Sequence, residues 1–337
     1  MTYRAASAPA REARTLSDLF RGWSVTSRLE FLPDVPVHII LPLFLVLRTQ
    51  AWSGSLLRLS LIGLAVWLLA YWVGSSLNCL ADYEVDRIDT GHKSRLAAAV
   101  DAAGVKPLLL INGAEALLAT GLTIYLYLDL RKPLLLVLWG LGLLIAVFYS
   151  FEPIRFKRRN LLNPLALDAI VYLLPFLYVY HLLANQWNQF DVMVIVVYSL
   201  QMLSMFLADE VSDHDEDAQT GVNNPCVRYG RVWTSRLAMI IYACSAVAIL
   251  ALFTYQVPGR FLGKGIATMV AVVIYAWVIL EFHTLFILSR QIEKTDNEDQ
   301  KRELTSKIKK FSKTPMWLMT TSLAIMAIVI VFARLWV

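Results

Sequence analysis

Apolar residues run along this chain in blocks of roughly twenty, the length an α-helix needs to cross the hydrocarbon core of a bilayer. Such blocks lie at about 34–50, 56–80, 107–129, 133–151, 162–184, 191–209, 235–257, 264–289 and 316–336. The pattern predicts an all-α, polytopic membrane protein of about nine transmembrane helices. Prolines punctuate the first block (Pro33, Pro36, Pro42) and the fifth (Pro164, Pro175), breaks that neighbouring helices can absorb within a membrane bundle. No polar stretch is long enough for a soluble domain, so residues 1–337 read as one transmembrane domain. Residues 1–30 form a basic tail, and 290–314 form a charged connection that reads as a solvated or interfacial helix.

Composition supports placement in lipid. Hydrophobic residues make up 58% and charged residues 17%, whereas soluble domains are about half apolar and a quarter charged. The N-terminus carries Arg4, Arg11, Arg14 and Arg21 with no apolar core before residue 34, which fits a retained tail better than a cleavable signal. If that tail is cytoplasmic, 24 of the 31 lysines and arginines fall in the tail and the loops on its side, and the positive-inside rule then favours N-in and C-out. The net charge of +5 is accounted for by these flanking bases against anionic head groups, with no nucleic acid required. Cys79, Cys226 and Cys244 show neither CxxC nor zinc spacing and read as packing residues. No obligate protein partner is evident.

The acids change the picture. Ten of the 26 fall in two windows, after the second and sixth blocks: Asp82, Glu84, Asp86 and Asp89, then Asp209, Glu210, Asp213, Asp215, Glu216 and Asp217. Each window is followed by a Thr-Gly pair, Thr90-Gly91 and Thr220-Gly221, which suggests an internal duplication of a helical unit. A step of four turns a helix by about 400°, so Asn78, Asp82 and Asp86 form one slowly drifting stripe, and Asp209, Asp213 and Asp217 form another. Carboxylates crowded at the ends of apolar helices repel one another and lose hydration unless cations neutralise them. Oxygen donors with room for water suit Mg²⁺, which characteristically bridges protein carboxylates to a substrate phosphate. A run of cations after the fourth block, Tyr149-Ser150-Phe151-Glu152-Pro153-Ile154-Arg155-Phe156-Lys157-Arg158-Arg159, fits a diphosphate, and Lys93, Arg95 and Arg228 are further phosphate candidates.

At these residues the chain resembles the UbiA superfamily of intramembrane prenyltransferases, whose pattern is NxxxDxxxD after the second helix, a YSxxPxRxK-type loop after the fourth and DxxxDxxxD after the sixth. The resemblance implies helices around a central cavity, with Asn78, Asp82, Asp86, Asp209, Asp213 and Asp217 binding Mg²⁺ and a prenyl diphosphate donor. Asp82, Asp86, Asp209 and Asp213 would promote ionisation to an allylic cation that alkylates a hydrophobic acceptor. Lys93, Arg95, Tyr149, Arg155, Lys157 and Arg228 would contact the substrate. An aromatic or quinone-precursor acceptor is expected, because ring carbons capture allylic cations well. Terpene cyclisation or elimination, and transfer to a lipid or carotenoid, use the same diphosphate site. From another class, a cation-coupled transporter would place its acids at mid-membrane, whereas these stripes end at one face. The chain departs from common family members at Asn78-Cys79, Arg95-Leu96 and Arg28-Leu29, positions that bear on the acceptor. Asp168 and Glu281, acids inside spans, are candidates to orient the acceptor or take its proton. His38, His181 and His283 read as packing.

Overall fold

The computed structural model describes residues 15–30, 37–87, 92–256 and 262–311, with scattered positions between 318 and 328. Regular structure among the described residues is entirely helical. The chain divides into two compact units, one formed by Met1–Pro33 and Leu68–Ala119, the other by Asp34–Trp67 and Thr120–Val337.

The first unit comprises α1 (Leu16–Thr26), the later part of α3 (Gly54–Asp86), α4 (His92–Ala103) and the opening of α5 (Val105–Leu130). Within the stretch predicted as a basic tail, α1 is a formed helix. It starts at a capping box in which the Thr15 side chain and the Asp18 carboxylate satisfy each other's backbone N–H, a reciprocal arrangement that removes two orphan donors. Gly22 lets α1 approach α4 closely, since a Cβ there would come within 2.3 Å of the Ala103 side chain. Trp23 packs edge-on against Trp72 and donates its indole N–H to Glu115 at 2.8 Å. Below it, Asn112 donates to Ser76 at 3.0 Å. The apolar core of this unit is Val100, Ala103 and Leu108, covered by Leu19, Trp23, Leu80 and Tyr83.

The second unit holds α2 (Val37–Leu47), α6 (Leu134–Ser150), α7 (Leu162–Asp168), a π-helical turn (Ala169–Leu173), α8 (Leu174–Leu183), α9 (Gln189–Thr220), α10 (Pro225–Tyr229), α11 (Arg231–Gln256), α12 (Leu262–Lys294) and α13 (Glu298–Lys309). Six helical stretches are long and apolar enough to cross a membrane, and α2 and α6 are shorter apolar helices. Together they account for the first eight predicted blocks. The ninth, 316–336, lies largely outside the described residues, as do Pro33 and Pro36. The protein is thus an integral, multi-pass membrane protein. Most deeply buried of the spans is α9.

The fifth span shows how a membrane bundle absorbs proline. Pro175, near the start of α8, has no N–H to give the carbonyl four residues back, that of Val171. His38 of α2 supplies the missing donor, its Nε2 lying 2.7 Å from the Val171 oxygen. A carbonyl only accepts, so Nε2 carries the proton. Trp67 stacks against the His38 ring at 4.0 Å, and Tyr172 and Phe176 stack at 5.2 and 5.0 Å. Replacing His38 by Leu is expected to lower stability by about 1–3 kcal/mol, the usual cost of stranding a buried polar group. Thermal unfolding in detergent reads the change; an unaltered melting temperature would show that the carbonyl finds another donor.

At the far end of α9 from its acids, Asp191 is buried against Arg48 at 3.0 Å and accepts a hydrogen bond from Tyr180 at 2.9 Å. Lys132 points its ammonium at the carbonyls of His181, Leu182 and Ala184, satisfying acceptors that the end of α8 leaves without intrahelical partners.

Candidate active site

The first acidic window as far as Asp86, and the second, lie on helices that continue past the apolar blocks, so these carboxylates are held at fixed angular spacing. In the first unit, α3 runs on to Asp86. Asp82 and Asp86 are buried there, and the amide oxygen of Asn78 is buried with no hydrogen-bond donor. A stripe of three oxygen-bearing side chains with one orphaned acceptor is donor chemistry that would suit a hard cation. Cys79 faces the other way, its thiol against the Thr26 carbonyl at the end of α1. Tyr83 is tied down by a hydrogen bond to Asp101 of α4 and by the Arg87 guanidinium over its ring. Arg95 is an exposed residue on α4. Lys93 lies on the same helix with its side chain outside the described residues, and Asp89, Thr90 and Gly91 are also outside them.

In the second unit, α9 carries its acids to Thr220 and ends at Gly221 with φ of 71°, the left-handed cap that glycine adopts without strain. Tertiary contacts sort the run of acids. Asp215 forms an ion pair with Arg231 of α11 at 2.7 Å, and Glu216 pairs with Lys309 of α13. Asp217 accepts a hydrogen bond from the Asn224 amide at 2.7 Å, and Glu210 accepts one from Asn163 of α7 at 2.9 Å. Asp209 and Asp213 have no ion-pair partner among the described residues; Asp213 receives only the Ser212 hydroxyl, at 3.1 Å. Seven residues turn a helix by about 700°, within about 20° of two full turns, so Phe206 and Ser199 continue the Asp213 face down the helix. Phe206 meets the Tyr172 ring at 5.7 Å.

The cationic loop after α6 belongs to the same unit. Tyr149 is buried at the end of α6. Arg155 sits at φ of 41° ahead of a 3₁₀ turn, Phe156–Arg158, and both Arg155 and Lys157 are half-buried. The Glu152 carboxylate lies 3.7 Å from Arg155. Arg159 folds back onto the carbonyls of Pro153 and Ile154, which makes it a brace for the loop. The loop is stitched to the segment after α9: Asn160 donates its backbone N–H to the Asn223 carbonyl at 2.6 Å and its side-chain amide to Tyr229 at 2.8 Å. Arg228 lies over the Tyr229 ring at 5.7 Å. Arg155, Lys157 and Arg228 are therefore carried by two segments bonded to one another beside the second acidic window.

Among the described residues no three His, Cys, Asp or Glu side chains converge as a ready-made metal cage. The two acids predicted inside spans differ. Asp168 is buried and accepts the Ser199 hydroxyl, while Glu281 takes the indole N–H of Trp277 at 3.0 Å in an exposed setting. Asn160, Asn163, Asn224, Arg231 and Lys309 were not singled out from sequence. Of these only Asn224 had a local signal, an Asn before Pro225 with Gly230 following, the mark of a capped short helix.

A profile described as the UbiA prenyltransferase family matches residues 39–296. The chain belongs to the UbiA prenyltransferase family. Solved structures share its fold at low identity. One, described as digeranylgeranylglyceryl phosphate synthase in membranes, aligns with a TM-score of 0.61 at 13% identity over 92% of this chain and 99% of its own. A UbiA homologue from Archaeoglobus fulgidus bound to GPP and Mg²⁺ aligns with a TM-score of 0.58 at 15% identity over 90% and 99%. A UbiA homologue from Aeropyrum pernix K1 without ligand aligns at 0.53, with 15% identity over 85% and 96%. No curated protein matches the chain. Members of the UbiA family are prenyltransferases, and this chain has the helical architecture of those solved structures.

Proposed function

We propose that this protein transfers a prenyl group from an isoprenoid diphosphate to a lipophilic acceptor, an aromatic or quinone-precursor ring. The observation that carries this reading is the sorting of acids on α9: their neighbours are consumed by Arg231, Lys309, Asn224 and Asn163, and Asp209 and Asp213 are left facing the stripe that continues to Phe206. The relatives solved with GPP or DMAPP and Mg²⁺ support the same chemistry here.

The oxygen-only donors fit magnesium: Asn78, Asp82 and Asp86 in one unit, Asp209 and Asp213 in the other, beside Asp217, which accepts from Asn224. When bound, the ion supplies a positive charge that stabilises the departing diphosphate. The chain's own residues do the rest. Arg155 and Lys157, with Arg95, Arg228 and Lys93, offer charge-assisted hydrogen bonds to phosphate oxygens, and the Tyr149 hydroxyl adds a neutral donor. Such groups would meet the charge that grows on the leaving group. Phe206, on the Asp213 face of α9, meets the Tyr172 ring, and the two offer π surfaces that would favour an adjacent cation. The acids and the basic N-terminus are placed on the cytoplasmic side and the C-terminus opposite, following the positive-inside bias.

The test is incubation of purified protein in detergent with Mg²⁺ and labelled geranyl, farnesyl and geranylgeranyl diphosphates, with and without membrane lipid extract. Extract-dependent labelled product that disappears with EDTA is expected. Product formed without extract would replace transfer by cyclisation or elimination. No turnover of any donor by folded protein would refute the proposal.

A further inference from the structure

Glu210 stands between Asp209 and the rest of the acidic run, yet its side chain is turned to α7. One carboxylate oxygen accepts the Asn163 amide N–H at 2.9 Å, the other is buried without a donor at hydrogen-bonding geometry, and the Cys226 backbone N–H also faces the carboxylate. The Asn163 amide oxygen is likewise buried without a donor. Both residues are more than nine-tenths buried, Glu210 being 8% and Asn163 7% exposed. Asn163 lies three residues after Asn160, whose backbone and side chain bind Asn223 and Tyr229, and Asn224 holds Asp217. The cationic loop and the second acidic window are thus joined at two levels, by Asn160 beyond the end of α9 and by Asn163 within it.

We propose that Glu210 and Asn163 are a positioning pair: they clamp α7 to α9 and so set the distance between the loop cations Arg155 and Lys157 and the carboxylates Asp209 and Asp213. The inference rests on the prenyl-diphosphate reading above. It separates Glu210, despite its place in an acidic motif, from the groups that meet metal or substrate. The clamp needs a donor on Asn163 and an acceptor at position 210, and a negative charge is dispensable to it. A glutamine at 210 keeps the oxygen that accepts from Asn163 and adds an N–H aimed at the orphaned Asn163 oxygen, closing a reciprocal amide pair. An aspartate at 163 instead sets two carboxylates face to face, and glutamine at 210 then restores a donor.

The expected results follow from that accounting. E210Q keeps the prenyl-diphosphate KM and kcat within about twofold of the parent and melts no lower. E210A and N163D each lose about 10- to 100-fold in kcat/KM, the usual cost of removing a partner that orients a site. The double variant N163D/E210Q recovers most of the N163D loss in both turnover and melting temperature. If E210Q falls as far as E210A while its melting temperature holds, Glu210 is a ligand and the clamp is overturned. Failure of N163D/E210Q to recover over N163D in melting temperature overturns it as well. A parent protein that turns over no prenyl diphosphate refutes the functional reading alone, because the melting series still reports whether the pair holds α7 to α9.

Discussion

Asp213→Ala is expected to remove Mg²⁺-dependent turnover, with the variant melting at the same temperature as the parent in EDTA, or above it. Asp213 is only partly buried and its single hydrogen bond is to the adjacent Ser212, so the fold loses little with the carboxylate. Without metal the charge is a liability, because Asp209 stands one turn away and like charges in a poorly hydrated site repel. Loss of a charged group that stabilises the transition state costs on the order of 10²- to 10³-fold in rate, and loss of a metal ligand adds to it. A Mg²⁺-dependent rise in melting temperature, expected of the parent if the ion binds the folded state only, should shrink in the variant. Asp82→Ala is expected to lose turnover in the same way. Full activity in either variant would refute the assignment of these acids, and an Asp213→Ala protein that unfolds in EDTA would show that the carboxylate is structural.

Asp191→Leu is expected to be the most destabilising single change outside the candidate site. Asp191 is 1% exposed, and it joins the Arg48 guanidinium to the Tyr180 hydroxyl. Arg48 also lies over the Phe190 ring at 5.0 Å. Deleting the acid leaves a buried guanidinium with no counter-charge, a loss of about 3–5 kcal/mol. Because the cost is the stranded charge, Arg48→Met together with Asp191→Leu should regain much of it. Turnover per folded molecule should change little, since Asp191 lies about 27 Å along α9 from Asp209 at 1.5 Å per residue. Thermal unfolding of the two variants in detergent decides the matter: equal melting temperatures for the single and double variants would mean that the pair contributes nothing beyond packing.

The helical architecture was legible in the sequence because each span announces itself locally. A block such as 191–209 needs no knowledge of its neighbours to be recognised as apolar, and the four-residue spacing of Asp209, Asp213 and Asp217 makes a stripe on any helix. What was less legible is how far a helix continues beyond its apolar block. Here α3 and α9 run on to Asp86 and Thr220, and α1 forms inside a stretch that composition marks only as a basic tail. In both cases tertiary packing stabilises residues that are locally polar.

The sequence by itself determined that this is a multi-pass membrane protein with two oxygen-rich stripes and a cationic loop, because hydropathy and helical periodicity are properties of neighbouring residues. Only the tertiary structure decided which acids on α9 are open to a ligand. Asp209, Glu210, Asp213, Asp215, Glu216 and Asp217 are much alike as residue types, and they become different through Asn163, Asn224, Arg231 and Lys309, most of which lie on other helices. Likewise Pro175 signals a broken hydrogen bond from sequence alone, but that His38 repairs it, from 133 positions away, depends on where the folded chain brings α2.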